Sequence, residues 1–355
     1  MDLKILSFNK ILFKKDFNMV KVLILFMAGV LFAGTTMHIL SAGNSFNRLE
    51  KEYIDRGYDY NREDLIEEYK ERANRLFSSP ESDGISLLII IAMSISVIGT
   101  LFAEEKRKKT FEVLQVMPYT RYEIFFNKLL VALVAIALPF IINGLIMILA
   151  WAVSPTLKMF YSAGQVIKWI LLFLYHQLPI LGFTLLFGTL TANTISYIIL
   201  TIIFLVFPLG FPTLIFWNLV EFGFSLPTTS FENILFKIMR YTPLGTIINP
   251  GASSYFLYIL ASLAMIIISK ILFDKNKIER NGEVLEFENT EGFFKFGVAV
   301  CTALLMGVVF YWIFNDFISL SQAATILVML LGYIVGGIAG YLMANFSIKA
   351  ARSKA

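Results

Sequence analysis

Long apolar runs, separated by polar segments, dominate the pattern of this chain. A helix needs roughly 20 apolar residues to cross the ~30 Å hydrocarbon core of a bilayer. Eight runs are long enough, at about 20–41, 85–104, 124–152, 166–192, 195–220, 252–273, 296–314 and 322–346. The pattern therefore predicts an all-α polytopic membrane protein with about eight transmembrane helices.

The segment before the first run, residues 1–18, has a helical pattern of its own. Ile5, Phe8 and Leu12 share one helix face, and Lys10 lies opposite them. This favours an amphipathic interfacial helix at the inner headgroup level, followed by the first span at 19–41. A cytoplasmic tail with ordinary basic residues is the alternative.

A polar segment of 42–84 separates the first two runs. Asn61 is suited to cap a helix, and "SSP" at 78–80 would end it. An apolar stripe at helical spacing is formed by Leu65, Tyr69, Ala73 and Leu76. We expect an extracytoplasmic helical insertion here, with a solvated linker hairpin as the alternative.

The segment 207–250 contains half of the ten prolines in the chain. Proline breaks helices, and non-helical backbone at membrane depth is tolerated only where protein or a water-filled cavity covers it. Re-entrant outer helices are the prediction, and a plain outer loop is the alternative.

Composition and charge agree with a membrane protein. Hydrophobic residues make up 57% of the chain and charged residues 16%, against about 45–50% and about 25% in soluble domains. With the N-terminus inside, 19 of the 30 basic residues fall at cytoplasmic ends and loops, as the positive-inside rule requires. The sequence thus predicts cytoplasmic N- and C-termini, and its net charge of +4 indicates topology rather than nucleic-acid binding.

Between the second and third runs lies "FAEEKRKKTFEVLQVMPYTRYEIFFNKLL", residues 102–130. If it is helical from Glu104 to Val116, Glu104 pairs with Lys108 and Glu105 with Lys109 at i,i+4 spacing. An apolar face would then be formed by Thr110, Val113, Leu114 and Met117.

A break and a new helix follow. Pro118 ends the first helix, and Thr120 with Glu123 predicts a capping box at the start of the third span. The order of helix, break and capped helix predicts a rigid turn at the cytoplasmic surface, suited to transmit force.

This segment resembles the coupling segment of type 2 ABC transporter permeases. The resemblance is carried by Glu105, Thr110, Glu112, Leu114, Pro118, Thr120, Arg121, Glu123, Ile124 and Lys128. In that family the segment, here coupling helix 104–121, docks onto a separate ATPase subunit. The resemblance implies ATPase-coupling roles for Glu105, Lys109, Thr110, Phe111, Glu112, Leu114, Pro118, Arg121 and Glu123.

The resemblance extends over about residues 1–273, with a permease core at 85–273. The leading helix resembles the connecting helix of the family, and 207–250 resembles its re-entrant helices. The chain departs from the six-span pattern by the 42–84 insertion and by two additional spans with a basic tail at 296–355, after a cytoplasmic linker at 274–295. These departures leave the subfamily and the substrate open.

Nucleotide chemistry is expected on another chain. A P-loop requires a Gly-Lys pair, and this sequence has no Gly-Lys dipeptide. We therefore expect a non-catalytic subunit without a cofactor of its own, with ATP and Mg on the partner ATPase. By resemblance the partners are the ATPase and a second permease, as a homodimer or a related chain, within the lipid bilayer of the plasma membrane.

The expected function is export of an apolar or amphipathic substrate, such as a peptide or a lipid-linked molecule. The main alternative is an ion-coupled secondary transporter or channel, which usually needs ionisable groups at the midplane. No run carries Asp, Glu, Lys or Arg in its middle, and His176 is the titratable candidate. A further alternative is an ABC complex that transmits mechanical force without transport. The single cysteine, Cys301, excludes a disulfide.

Overall fold

A computed structural model describes residues 8–57, 61–78, 84–108, 110, 114, 116–245, 255–276, 289–317 and 321–352. Helices and turns form all of this described part, which contains no strand. Eight of its helices are long and apolar enough to cross a membrane. The predicted class, an all-α polytopic membrane protein, is confirmed.

We name these helices spans 1 to 8. Their bounds are Lys10–Arg56, 84–107, Arg121–Val153, Ala163–Leu190, Thr194–Glu221, Tyr255–Lys275, Asn289–Phe317 and Gln322–Arg352. Three further helices lie between spans, at Arg62–Ser78, Pro155–Phe160 and Thr228–Met239.

Span 1 is one helix of 47 residues. Asn9 caps its start by accepting from the amides of Ile11 and Leu12, and it contains a π-helical turn at Phe32–Thr36. Gly57, with φ of 67°, ends it. The described residues show no turn near residue 18, so the boundary that we expected between an interfacial helix and the first span is absent. Nothing in the sequence breaks the helix there, since the nearest glycine or proline is Gly29.

Residues 62–78 form the predicted helix of the 42–84 segment. The side chain of Asn61 accepts from the amide of Glu63 at 3.0 Å, as a cap. Its buried face consists of Leu65, Tyr69, Ala73 and Phe77, so Phe77 takes the place that we expected for Leu76. Strict i,i+4 spacing explains the difference, because it leads from Ala73 to Phe77.

The described residues divide into two compact units. One takes in described residues of 1–101, 119–184 and 246–266, and the other those of 102–118, 185–245 and 267–355. Spans 2, 4 and 6 each contribute to both units. The connection between spans 2 and 3 begins in the second unit and ends in the first.

In the first unit, spans 1 and 3 are joined by a buried amide. The Asn143 side chain donates to the carbonyls of Ala28 at 3.0 Å and Pro139 at 2.9 Å. It also accepts from the Thr36 hydroxyl at 2.6 Å. All of these groups lie at membrane depth, where a polar side chain is retained only with internal partners.

In the second unit, spans 7 and 8 pack as a hairpin through glycines. A Cβ atom on Gly332 would lie 2.6 Å from the carbonyl oxygen of Met306, and one on Gly336 would lie 2.5 Å from that of Thr302. Side chains at these positions would hold the helices apart, so glycine sets the close approach. Span 5 joins this hairpin through Asn218, which accepts from the Tyr333 hydroxyl at 2.6 Å.

The prolines of span 5 do not break it. Pro208 and Pro212 lie inside the continuous helix Thr194–Glu221, so the interruption that we expected from 207 onward begins only after Glu221. Transmembrane helices tolerate proline because local adjustments and neighbouring groups satisfy the freed backbone; in span 5 the freed carbonyls are those of Phe204 and Pro208, four residues before each proline. The helix Thr228–Met239 follows, and residues 246–250 of the segment lie outside the described residues.

Candidate functional site

The connection between spans 2 and 3, residues 108–120, is the candidate site. Span 2 ends at Arg107, and Lys108 has turn geometry with φ of −83° and ψ of 2°. The uninterrupted helix that we expected from Glu104 to Val116 is therefore interrupted at Lys108. Positions 110, 114 and 116 are again helical, whereas Lys109, Phe111 and Glu112 lie outside the described residues.

Glu104 organises the end of span 2. Its carboxylate pairs with Lys108 at 3.2 Å, as the i,i+4 spacing predicts, and with Arg107 at 2.5 Å. It also accepts from the hydroxyl of Thr194 at 2.9 Å, at the start of span 5. The predicted pair of Glu105 with Lys109 lies partly outside the described residues, and Glu105 itself is buried.

Lys106 forms a first anchor for the connection. Its side chain is 1% exposed, and its ammonium donates to carbonyls at the end of span 4: Gly188 at 3.5 Å, Thr189 at 3.3 Å and Thr191 at 3.0 Å. The last carbonyls of a helix have no intrahelical partner and carry partial negative charge. A buried ammonium at this position satisfies them and ties the end of span 2 to the end of span 4.

Lys128 forms a second anchor, in span 3. Its ammonium donates to the carbonyl of Leu101 at 2.6 Å and lies 3.6 Å from the carboxylate of Asp16. Both side chains are almost fully buried. Leu101 belongs to the π-helical turn Gly99–Ala103 of span 2, so Lys128 ties together the ends of spans 1, 2 and 3.

Asn127 strengthens the second anchor. Its side-chain oxygen accepts from the backbone amide of Asn9 at 3.2 Å, and its amide donates to the carbonyl of Glu123 at 2.8 Å. The start of span 1 is thereby fixed against the first turns of span 3.

The capping box at the start of span 3 is confirmed. The Thr120 hydroxyl accepts from the amide of Glu123 at 3.2 Å, and the Glu123 carboxylate accepts from the amide of Thr120 at 2.8 Å. Pro118 precedes the box in a bend and is exposed, and Arg121 is half-buried. The connection therefore enters span 3 through a defined turn.

Residues of the predicted apolar face are partly buried and partly exposed. Leu114 is buried, whereas Thr110 is exposed. Val116 is 86% exposed and Met117 43% exposed. We call Val116, Met117 and Pro118 the exposed tip. It is an exposed apolar segment of the chain between span 2 and span 3.

His176 lies at the centre of span 4. It is fully buried, and neither of its ring nitrogens has a hydrogen-bond partner among the described residues. The neighbouring Gln177 accepts from the Ser94 hydroxyl at 2.7 Å. Among the described residues, no group of three His, Cys, Asp or Glu side chains is placed to hold a metal ion.

Three residues of the anchors were missed as site residues by sequence reasoning: Asp16, Lys106 and Lys128. Lys106 counts in the sequence only as a topology signal, and Lys128 is part of the pattern that carries the resemblance without a site role of its own; burial cannot be inferred from charge. Asp16 offered one signal, because it is the single acid among the basic residues at 10–21.

Comparison with known proteins finds no match to this chain among protein-family models, curated proteins or solved structures.

Proposed function

We propose that this chain is the permease subunit of an ATP-driven ABC exporter in the plasma membrane. The observation that carries the proposal is the exposed apolar tip, which belongs to a chain segment flanked in sequence by two helices whose ends are anchored by buried lysines, Lys106 in span 2 and Lys128 in span 3. A partner that presses on this tip acts on helix ends rather than on a loose loop. A separate ATPase subunit is that partner in our proposal, and it carries ATP and Mg.

The anchors supply a path for force. Through Lys106 the connection moves with the end of span 4, and through Lys128 it moves with the ends of spans 1 and 2. Transport in our proposal follows from the concerted movement of these ends. The cargo leaves the cell and is apolar or amphipathic, because the spans contain no Asp, Glu, Lys or Arg side chain at their centres.

The basic residues support the proposed orientation. The start of span 1 and the end of span 2 are rich in Lys and Arg, which the positive-inside rule retains in the cytoplasm. The exposed tip then faces the cytoplasm, where an ATPase is available. A second permease, identical or related, completes the proposed assembly.

Co-purification with a matched pair of variants tests the proposal. Val116 is 86% exposed and Val153, at the opposite end of span 3, is 84% exposed. A carboxylate at the centre of a docking surface costs at least about 2 kcal/mol, or about thirtyfold in affinity. We expect Val116→Glu to remove a co-purifying ATPase subunit and Val153→Glu to retain it. A wild-type chain that purifies alone from native membranes, or equal retention by both variants, would overturn the proposal.

Glu112 provides a second test, on sequence grounds. Glu112→Lys should reduce transport and its coupling to ATP hydrolysis, with normal insertion into the membrane. Unchanged transport would contradict a coupling role for Glu112.

His176 favours one alternative, a proton-coupled secondary transporter. An unpartnered polar group at the midplane is by default a functional position. In that case a pH gradient would drive transport without ATP, and His176→Gln would abolish it. The exporter proposal expects instead that transport stops when ATP is withdrawn and persists when the pH gradient is collapsed.

A further inference from the structure

A cavity of about 590 Å³ lies in the first unit, beside span 1. It is bounded by span 1 from Gly34 to Ser45, by the 62–78 helix, and by Phe160 and Tyr161. Its volume is in the range of small-molecule sites. None of the anchors or exposed-tip residues lines it.

The wall of the cavity is a packed aromatic cluster. The rings of Phe46, Tyr69 and Phe160 lie 5.3 to 5.6 Å apart, and the Tyr161 hydroxyl donates to the carbonyl of Met147 at 2.9 Å. Burial raises the pKa of Tyr69, and it raises the pKa of Tyr161 to about 12. Both phenols that line the cavity are therefore neutral at pH 7. Their positions are fixed by the ring packing and by the hydrogen bond of Tyr161.

Basic side chains of the 62–78 helix line the cavity, whereas the acidic side chains of this helix do not. The 62–78 helix carries five acidic and four basic side chains, yet among the described residues the charged side chains that line the cavity are Arg72 and Arg75, with no carboxylate. Arg72 pairs with Glu68 at 2.5 Å and lies 5.3 Å from the centre of the Tyr69 ring. His38 and Ser41 add polar groups from span 1. The lining thus combines two guanidinium groups with an apolar wall.

The position of the cavity along span 1 sets its depth. Gly34 to Ser45 lie 13 to 24 residues beyond Lys21, or about 20 to 36 Å along a helix. A hydrocarbon core of about 30 Å that begins near Lys21 ends within this range. The cavity therefore lies at the headgroup level opposite to the one at Lys21.

We infer that this cavity binds an anionic amphiphile, with its phosphate-bearing headgroup at Arg72 and Arg75 and its apolar part against Phe160 and Ile39. Guanidinium groups bind phosphate oxygens through paired hydrogen bonds, and the apolar wall adds affinity that a free anion would lack. Its role as the site where exported cargo arrives rests on the proposed function, whereas the binding itself does not.

Two glycines of span 1 offer a matched test. A Cβ atom on Gly29 or on Gly34 would meet no atom within 4 Å, and of the two Gly34 alone lines the cavity. The probes are phosphatidylglycerol and phosphatidylcholine with identical acyl chains, added to the purified full chain and followed by native mass spectrometry. We expect wild type and Gly29→Trp to retain phosphatidylglycerol preferentially, and Gly34→Trp to lose this preference. Equal retention of the two lipids by wild type, or equal behaviour of the two variants, would overturn the inference.

A charge test separates headgroup recognition from general attraction. Arg72→Gln with Arg75→Gln should weaken phosphatidylglycerol binding by about tenfold or more, since charge-assisted hydrogen bonds are lost. Arg56→Gln with Lys70→Gln removes the same charge from exposed positions that do not line the cavity, and should leave binding unchanged. Inorganic phosphate in millimolar excess should not displace the lipid; displacement would indicate a site for the free anion and contradict the amphiphile.

None of these measurements requires the ATPase. A wild-type chain that shows no preference for phosphatidylglycerol but still co-purifies with the ATPase would refute the lipid site alone. Retained selectivity in a chain that purifies without an ATPase would refute the exporter alone.

Discussion

Spans 1 and 3 and spans 7 and 8 are helix pairs held together by different means. The first pair buries an ion pair of Asp16 with Lys128 and the side-chain amide of Asn143. The second pair packs glycines of span 8 against the backbone of span 7 at Met306 and Thr302. Each pair lies within one of the two units. The charges, the amide and the helical backbone buried in these pairs have partners, as a lipid environment requires.

The difference concerns specificity. Close glycine packing gains van der Waals contact along the whole seam and tolerates no added atom. Buried polar groups define one register, because any slip leaves a charge or an amide without its partner. The proposed coupling segment leads into span 3. Span 3 belongs to the pair whose register is fixed by charged groups.

The largest effect is expected from breaking the ion pair on one side. Lys128→Met removes the buried ammonium from Asp16 and from the carbonyl of Leu101, and leaves Lys15, 3.0 Å away, as the remaining cation at the carboxylate. Loss of one partner of a buried pair costs about 3 to 5 kcal/mol, and because Lys15 stays in place we expect a loss of about 3 kcal/mol. The free energy of unfolding of the purified protein, measured by denaturant titration, should fall by this order.

Two controls sharpen this prediction. Lys14→Met removes an exposed lysine from the same basic segment of span 1 and should change stability by less than about 0.5 kcal/mol. Lys128→Met with Asp16→Asn removes both charges and should recover most of the loss. A double variant as unstable as Lys128→Met alone would show that packing, and not charge, is responsible.

A smaller effect is expected in the glycine seam. Gly336→Ala forces the Thr302 carbonyl to move and should cost about 1 to 3 kcal/mol, the usual range for overpacking. The neighbouring Gly337 is a matched control, because its Cβ would lie 3.7 Å from that of Ala303, an ordinary contact. Thermal unfolding should therefore separate Gly336→Ala from Gly337→Ala, and equal midpoints would argue against close packing at this seam.

The smallest effect is expected at Asn143. Hydrogen bonds between membrane helices contribute on average about 0.6 kcal/mol and at most about 1.7 kcal/mol, so Asn143→Leu should cost about 1 to 2 kcal/mol. A double-mutant cycle with Thr36→Val isolates the bond between these side chains. Strict additivity of the two changes in unfolding free energy would mean that the Thr36 bond contributes nothing.

The spans were predictable because hydropathy over 20 residues is a local property. The capping box at Thr120 and Glu123 and the cap at Asn61 were predictable for the same reason, since each depends on residues within one turn. Span 5 shows the limit: Pro208 and Pro212 indicate a break, and the surrounding helix accommodates them.

The anchors were not predictable, because they join residues far apart in the chain. Asp16 and Lys128 are separated by more than a hundred positions, and no periodicity encodes their contact. Lys106 resembles its charged neighbours in sequence, yet it is buried while Arg107 is exposed. The coupling roles of all nine predicted site residues remain predictions from sequence, and three of these residues, Lys109, Phe111 and Glu112, also lie outside the described part.

The continuous helix of span 1 has a mechanical consequence. Its 47 residues extend about 70 Å, more than twice the hydrocarbon thickness. Asp16 lies near one end, and the cavity wall from Gly34 to Ser45 lies beyond the middle. A tilt of this helix about the π-helical turn at Phe32–Thr36 moves its two arms in opposite senses. Asp16, about 24 Å from the turn along the helix, is displaced further than the cavity wall, which begins at the turn and extends about 14 Å beyond it.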